Sequence, residues 1–281
     1  MSKVLAIGVA TLDTIVLVEK YPGPDERVIA KQTIQGFGGP ATTAAVTMAR
    51  LGIDVSLACV IGDDEPGRKI FDNLKREGVD TSNVVIDPNI KTAIGTIVVS
   101  ETTQSRAIMA QPHSEIARKP SNIEEYAWIH VDHLGMSALK AWGVTRGGSA
   151  KLSIDIGYKY PGLKSSDYDL YAPSENITTD VNSAKSDKNL VVISKGGAGS
   201  IYSDGIESGE VPALKGEILS TLGAGDVFHG ALVAAQIWGK SARESVEIAN
   251  VVAGLSCRAL DGQSGIPSKA ELDAFFAGVR S

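Results

Sequence analysis

Five short apolar runs recur along the chain: Val4 to Val9, Val55 to Ile61, Ala127 to Val131, Lys151 to Ile156 and Leu190 to Ser194. Runs of this length that stay apolar without alternating suit strands buried on both faces of a mostly parallel sheet. The stretches Ala41 to Leu51, Glu65 to Glu77, Leu134 to Arg146 and Val227 to Trp238 read as helices, with a further short one near Ser121 to Tyr126. Their punctuation agrees. Pro40 suits a first helical position, Gly52 and Gly78 follow last turns, and Ser121, Ser241 and Ser268 each stand three residues before a glutamate, the spacing of a capping box. Alternating strand and helix predicts an α/β protein, a three-layer α/β/α sandwich spanning residues 1–281 as one domain. A chain of 281 residues, 43% of them hydrophobic, can bury such a core.

Two places break the rhythm. Thr14 to Lys20 and Arg27 to Ile34 alternate imperfectly around Tyr21-Pro-Gly-Pro-Asp-Glu26, and Ala93 to Ser100 and Ser105 to Ala110 flank Glu101-Thr-Thr-Gln104. They read as antiparallel pairs, inserted at about 14–35 and 92–110, that project as a small separate sheet.

The chemistry concentrates in Leu219 to Gly230. Gly223, Ala224 and Gly225 are three small residues at the mouth of a helix, where backbone N–H groups and the helix dipole welcome an anion such as phosphate. Asp226 follows at once. It is either an ordinary acidic residue of a first helical turn or a base that takes a proton from an alcohol attacking phosphorus. Asp13, just beyond the first strand, lies where ligands collect in open α/β sheets, or else is a solvated turn residue. His130 and His133 read as structural, since His-x-x-His on a strand sends the rings to opposite faces. Cys59 and Cys257 lack metal or disulfide spacing and read as core thiols of a reducing compartment. A net charge of −6 without a basic run argues against nucleic acid. The absence of a leader pattern and of any run of ~20 apolar residues predicts a cytoplasmic location with no membrane partner.

Thr221-Leu-Gly-Ala-Gly-Asp-Val-Phe-His-Gly-Ala231 resembles the C-terminal signature of the ribokinase-like (PfkB) carbohydrate kinases. The resemblance implies that Gly223, Ala224 and Gly225 form an anion hole, that Asp226 is the catalytic base, and that ATP and Mg2+ serve a small sugar acceptor. Gly8-Val-Ala-Thr-Leu-Asp13 resembles the opening motif, whose aspartate grips sugar hydroxyls. Gly36-Phe-Gly-Gly39 resembles the sugar-site glycine motif, assigning Gly38 and Gly39 to substrate, with Thr43 where most members carry asparagine. The inserted strands correspond to a lid over the sugar, which in many members is also a dimer surface, so a homodimer is implied. Arg106, on the lid, either meets an anionic group of the substrate or is solvated. Asp63 with Gly67 matches a Gly-x-Asp-x-x-Gly turn and helix start. Ser194-Lys-Gly-Gly-Ala-Gly-Ser200 matches the nucleotide-side glycine element, with Gly196 and Gly199 at the key spacing and Lys195 either near a phosphate or solvated. Thr221, Asn250 and Gly262 complete the nucleotide set, the loop Ala259 to Gly265 lining adenine. Ala249, Ala253 and Ser256 read as a packing face.

Three further positions depart from the family. Ser174 and Ile177 replace the members of an Asn-x-x-Glu element that helps hold magnesium, leaving Glu175 as the nearby carboxylate, and Ser220 replaces an aspartate that helps bind a monovalent cation. The last change argues against potassium activation. Gly38-Gly-Pro-Ala-x-Thr-Ala-Ala45 and Gly225-Asp-Val-Phe-His-Gly-Ala231 are most similar to the subgroup that includes sulfofructose kinase and fructokinase-type enzymes, which favours a ketose or pentose over a nucleoside or a 2-keto-3-deoxy sugar acid. The rival readings are a non-catalytic sugar or nucleotide sensor and a nicotinamide dehydrogenase. The second lacks a Gly-x-Gly-x-x-Gly after the first strand.

Overall fold

The first strand, Val4–Ile7 (β1), already separates two cores: Val4 and Ala6 join one buried cluster while Leu5 and Ile7 join another. Side chains alternate across a strand, so a run apolar at every position needs helices on both faces. In the computed structural model, which describes residues 3–182 and 189–279, the chain continues through Thr11–Val18 (β2), Gln32–Gly38 (β3), Pro40–Arg50 (α1), Val55–Ala58 (β4), Val60–Gly62 (β5), Glu65–Arg76 (α2), Val85–Asp87 (β6), Ile94–Ser100 (β7), Ser105–Ala110 (β8), Trp128–Val131 (β9), His133–Trp142 (α3) and Lys151–Ile154 (β10). Leu170–Tyr171 (β11), Leu190–Ser194 (β12), Ser200–Ser203 (β13), Ser208–Val211 (β14), Ala224–Ile237 (α4), Ala242–Ser256 (α5) and Lys269–Val279 (α6) complete it.

The large sheet runs β14-β13-β12-β11-β10-β9-β1-β4, parallel from β12 to β4 with β13 and β14 antiparallel at one edge. Residues of α1, α2, α4, α5 and α6 pack with one of its faces and residues of α3 with the other, giving the three-layer, mostly parallel α/β sandwich that the alternation predicts. The four inserted segments form one smaller sheet, β3-β2-β7-β8, in which β2 and β7 pair in parallel and join the two antiparallel pairs. Among the described residues no helix is long and apolar enough to cross a membrane.

The chain leaves β1 for β4 on one side and returns to β9 on the other, so a crevice opens beyond the carboxyl ends of β1 and β9. Asp132 ties this corner together. Its carboxylate accepts N–H bonds from Val9 (2.7 Å), Ala41 (3.4 Å), Leu134 (2.9 Å) and Gly135 (3.2 Å), fixing the starts of α1 and α3 against β1. A Cβ on Gly8 would stand 2.1 Å from its Oδ2, so no larger residue fits there.

Several local expectations are corrected. The run Val55 to Ile61 breaks after Ala58, and β5 leaves the large sheet to pair with β6. β3 begins at Gln32, not Arg27, and runs through Gly36 and Gly38. Asp64, not Asp63, caps α2: it accepts from Gly67 N–H at 3.0 Å and from Thr92, while Asp63 pairs with Arg68 at the surface. Ser241 and Ser268 each exchange hydrogen bonds with the glutamate three residues on. Ser121 forms no such box, because only a single tight turn, Ile123–Glu125, forms there. α3 stops at Trp142, short of Arg146, with Gly143 left-handed at φ 68°.

Candidate active site

Asp13 sits on β2 between two glycines that exist to make room for it. A Cβ on Gly38 would lie 2.1 Å from its Oδ2 and one on Gly95 would lie 2.4 Å from its Oδ1. Burial raises its pKa, opposed by hydrogen bonds from Thr11 and the Gly95 amide. Asp13 lines a cleft of about 480 Å3 with Gly38, Gly39, Thr43, Gly95 and His113 on one side and Asp155, Ser174 and Asn176 on another. The small sheet roofs it through Ile15, Ile97, Arg106 and Ile108. Thr43 is buried and its hydroxyl accepts from Gln263 Nε2 at 3.4 Å.

The floor is the start of α4. Gly223 caps it at φ 72°, a left-handed conformation that favours glycine, and a Cβ there would come within 2.8 Å of Gly262 Cα. Ala224 N–H donates to Thr221 O at 3.3 Å, and Val227 N–H closes onto Gly223 O at 2.9 Å. The amides of Gly225 and Asp226 have no partner among the described residues, as expected of orphan donors in a first turn. The anion hole is therefore narrower than the three small residues imply, since Ala224 is already engaged.

Asp226 does not stand alone. Its carboxyl meets that of Asp155, at the end of β10, within hydrogen-bond range. Burial, then the charge and hydrogen bond of Asp155, raise the Asp226 pKa well above the carboxylate range, with Arg106 opposing. Burial and the charge of Asp132 push Asp155 up to about 7. His229 Nε2 lies 3.4 Å from Asp155 Oδ1, and burial lowers His229 to about 3, so the ring is neutral.

A second cavity of about 330 Å3 lies beyond Gly225, walled by Gly196, Gly199, Leu214, Thr221, Phe228 and Ala253. Arg106, Ser194 and Gly225 line both cavities, so the two meet beside Asp226. Arg106 Nη1 donates to Thr221 Oγ1 at 3.1 Å across that junction.

Some predicted residues stand elsewhere or do something else. Lys195 pairs with Glu210 at 3.6 Å and is not part of the second cavity's lining. Asn250 lines that cavity, but its amide is spent accepting from Ser200 Oγ (2.9 Å) and donating to the carbonyls of Val211 (3.1 Å) and Pro212 (3.2 Å). Gly262 belongs to the first cleft, against Gly223. His133 begins α3 and is not on the strand with His130, whose Nδ1 meets Ser153 Oγ at 2.9 Å while Nε2 has no partner among the described residues. Cys59 is buried and its thiol is pushed up to about 12, so it is inert. Ser220 is buried, its hydroxyl accepting from Leu222 N–H at 3.1 Å.

Glu175 is exposed and outside the cleft, and Ile177 packs against the α3-side core. Among the described residues no three His, Cys, Asp or Glu side chains are grouped to hold a metal. The donor set does not fit a protein-held magnesium cage.

Asp155, Gly95, His113 and Asn176 were not singled out from the sequence. Asp155 carries the signal that marked Asp13, an acid just past an apolar run, and Gly95 is a glycine inside a strand, a sign of close approach.

Fold and site together define a kinase of the ribokinase-like type. The sequence profile of the pfkB family carbohydrate kinases matches residues 1–143 and 172–269. The chain is 25% identical over 293 residues to ribokinase of Lactococcus lactis, covering 98% of this chain and 97% of that one. Its structure superposes on that of a nucleoside kinase of Methanocaldococcus jannaschii with a TM-score of 0.84 at 18% identity, covering 99% of each chain. On ribokinase of Cryptococcus neoformans in complex with ADP the TM-score is 0.81 at 20% identity, covering 98% of this chain and 100% of that one. The chain belongs to the pfkB family of carbohydrate kinases, and it is a phosphotransferase with an alcohol group as acceptor.

Proposed function

We propose that this enzyme transfers the γ-phosphate of ATP to a hydroxymethyl group of a small sugar, a ketose or pentose. One observation carries the reading: a carboxyl group and two amides without a partner among the described residues occupy one helix start where two clefts meet. The acceptor binds between Asp13 and the Gly38–Gly39 turn, and ATP lies over Gly196 and Gly199. Asp226 in its ionised form takes the hydroxyl proton as the new O–P bond forms and the bond to ADP breaks, while the amides of Gly225 and Asp226 stabilise the phosphoryl oxygens. Arg106 at the junction faces the same charge. Magnesium prefers phosphates and water to a protein cage, so in this reading it arrives on ATP. The roof formed by the small sheet keeps water from competing as acceptor.

A panel of about 30 sugars assayed for ADP release tests this. Turnover of a ketose or pentose is expected. ATP binding without ADP release from any member would instead favour the sensor reading. A nucleoside acceptor is favoured by one feature: His113 at the cleft begins a chain of tilted rings through His133 (6.3 Å) and Tyr158 (6.0 Å) on which a planar base would rest. Inosine and adenosine in the same panel decide between the two. The edge strand β8 is exposed at every residue, and Met109 is 55% exposed, which supports a homodimer through the small sheet. Sedimentation velocity giving a monomer at micromolar concentration would overturn that part.

A further inference from the structure

We propose that Asp155 and Asp226 act as a pair sharing one proton at the cleft floor, Asp155 being the positioning residue that can take that proton and so leave Asp226 free to accept one from the acceptor hydroxyl. The geometry comes from two independent elements. Asp155 directly follows β10 and is 8% exposed, and Asp226 lies in the first turn of α4. Their carboxyls face each other within hydrogen-bond range. Asp155 Oδ1 is approached by His229, but its Oδ2, buried, has no conventional donor among the described residues. A proton held on Asp226 is the donor that this oxygen lacks. Two carboxylates in a dry site do not both ionise without a large cost, and one shared proton removes the repulsion.

The surroundings favour this state. Asp132, at the end of β9, adds negative charge, and Arg106, from β8, is the cation that offsets it. His229 from α4 and His130 from β9 are held neutral by burial and supply no positive charge. Asp13 and His113 line the same cleft further out. The pair's existence rests on the cleft floor that both residues line and on the orphaned Oδ2 of Asp155, while its role in setting the base rests on the kinase reading.

The full chain, labelled with carbon-13 at aspartate carboxyl carbons, is titrated by NMR without ligands as the native protein, Asp155→Asn and Asp226→Asn. In the native protein two carboxyl signals should respond to each other's titration, one of them at or above neutrality. Asp155→Asn should lower the Asp226 transition by about one pH unit or more, the usual effect of removing a like charge. In Asp226→Asn, which keeps a donor opposite Asp155 but no second carboxyl, Asp155 should titrate in a single step with no response at a second transition, which keeps the test open if one variant fails to fold. An Asp226 transition unchanged in Asp155→Asn, or a two-step Asp155 response persisting in Asp226→Asn, overturns the pair. With an acceptor from the sugar panel, the acid limb of kcat/KM should move to lower pH in Asp155→Asn, which loss of packing alone would not produce. A panel without ADP release overturns the kinase reading and leaves the titration result intact; independent titrations do the reverse.

Discussion

At the scale of single residues, Asp226 serves catalysis at the expense of stability. Asp226→Asn removes the proton acceptor and should lower kcat by about a hundredfold or more on any sugar the native enzyme uses, with ATP binding retained. The same change should stabilise the fold at alkaline pH. A carboxyl whose pKa is raised in the native state binds its proton more tightly than the unfolded chain does, so stability is present at low pH and is lost as pH rises through the folded value. For this pair the loss runs from about pH 4, the unfolded carboxylate value, to about 7 and beyond. Asparagine never ionises. Thermal melts should therefore show Asp226→Asn melting a few degrees above the native chain at pH 8 and level with it near pH 4.5. A variant no more stable than native at pH 8 would mean that no buried ionisation is being opposed.

At the scale of elements, α4 delivers Asp226 to the cleft because it packs unusually close to α1. Gly230 makes that approach possible: a Cβ there would come 2.6 Å from Ala44 O and 2.9 Å from Thr47 Cβ. Glycine to alanine in a helix interior ordinarily stabilises by about 0.5–1 kcal/mol. Here backbone contact reverses the sign, and Gly230→Ala should cost about 1–3 kcal/mol as the helices are pushed apart. Gly278→Ala in α6, where a Cβ meets open space, should be neutral or mildly stabilising. Melting temperatures of the two variants decide. Gly230 also shows what the sequence can tell. The strands with every position buried, the α4 glycine turn and Asp13 were legible because each writes a local pattern: an apolar run, small residues before a helix, an acid beyond a strand. The break after Ala58 was not, since an apolar run does not say when a strand changes partner. Neither were β11, two residues long, nor β13 and β14, rich in serine and glycine. The work of Asn250 and the pairing of Lys195 depend on partners far along the chain or on a neighbouring strand, and Asp155 gained its meaning only when β10 was placed beside α4.

At the scale of the whole molecule, two buried imidazoles pull stability one way and two carboxyls, that of buried Asp155 and that of half-buried Asp226, pull it the other. His130 and His229 are lowered to about 3, so the native chain refuses two protons that the unfolded chain takes up as pH falls below about 6.5, and their contribution is lost from there toward pH 3. Asp155 and Asp226 hold protons that the unfolded chain releases above about pH 4, and their contribution is lost as pH rises. Between about pH 4.5 and 6.5 the one shared proton offsets part of the two that the histidines refuse. The melting temperature should rise only gently across that range, fall above about pH 7 where only the carboxyls matter, and fall below about pH 4 where the histidines, joined by Asp80 with its pKa of about 2, must take up charge or lose partners. The double variant Asp155→Asn with Asp226→Asn removes one side of the balance. Its melting temperature should rise steadily from pH 4.5 to 6.5 and then hold level above pH 7. Scanning calorimetry from pH 4 to 9 on both proteins measures this, and a native profile that climbs through pH 6.5 as steeply as the double variant would show that the carboxyl pair does not retain its proton in the folded chain.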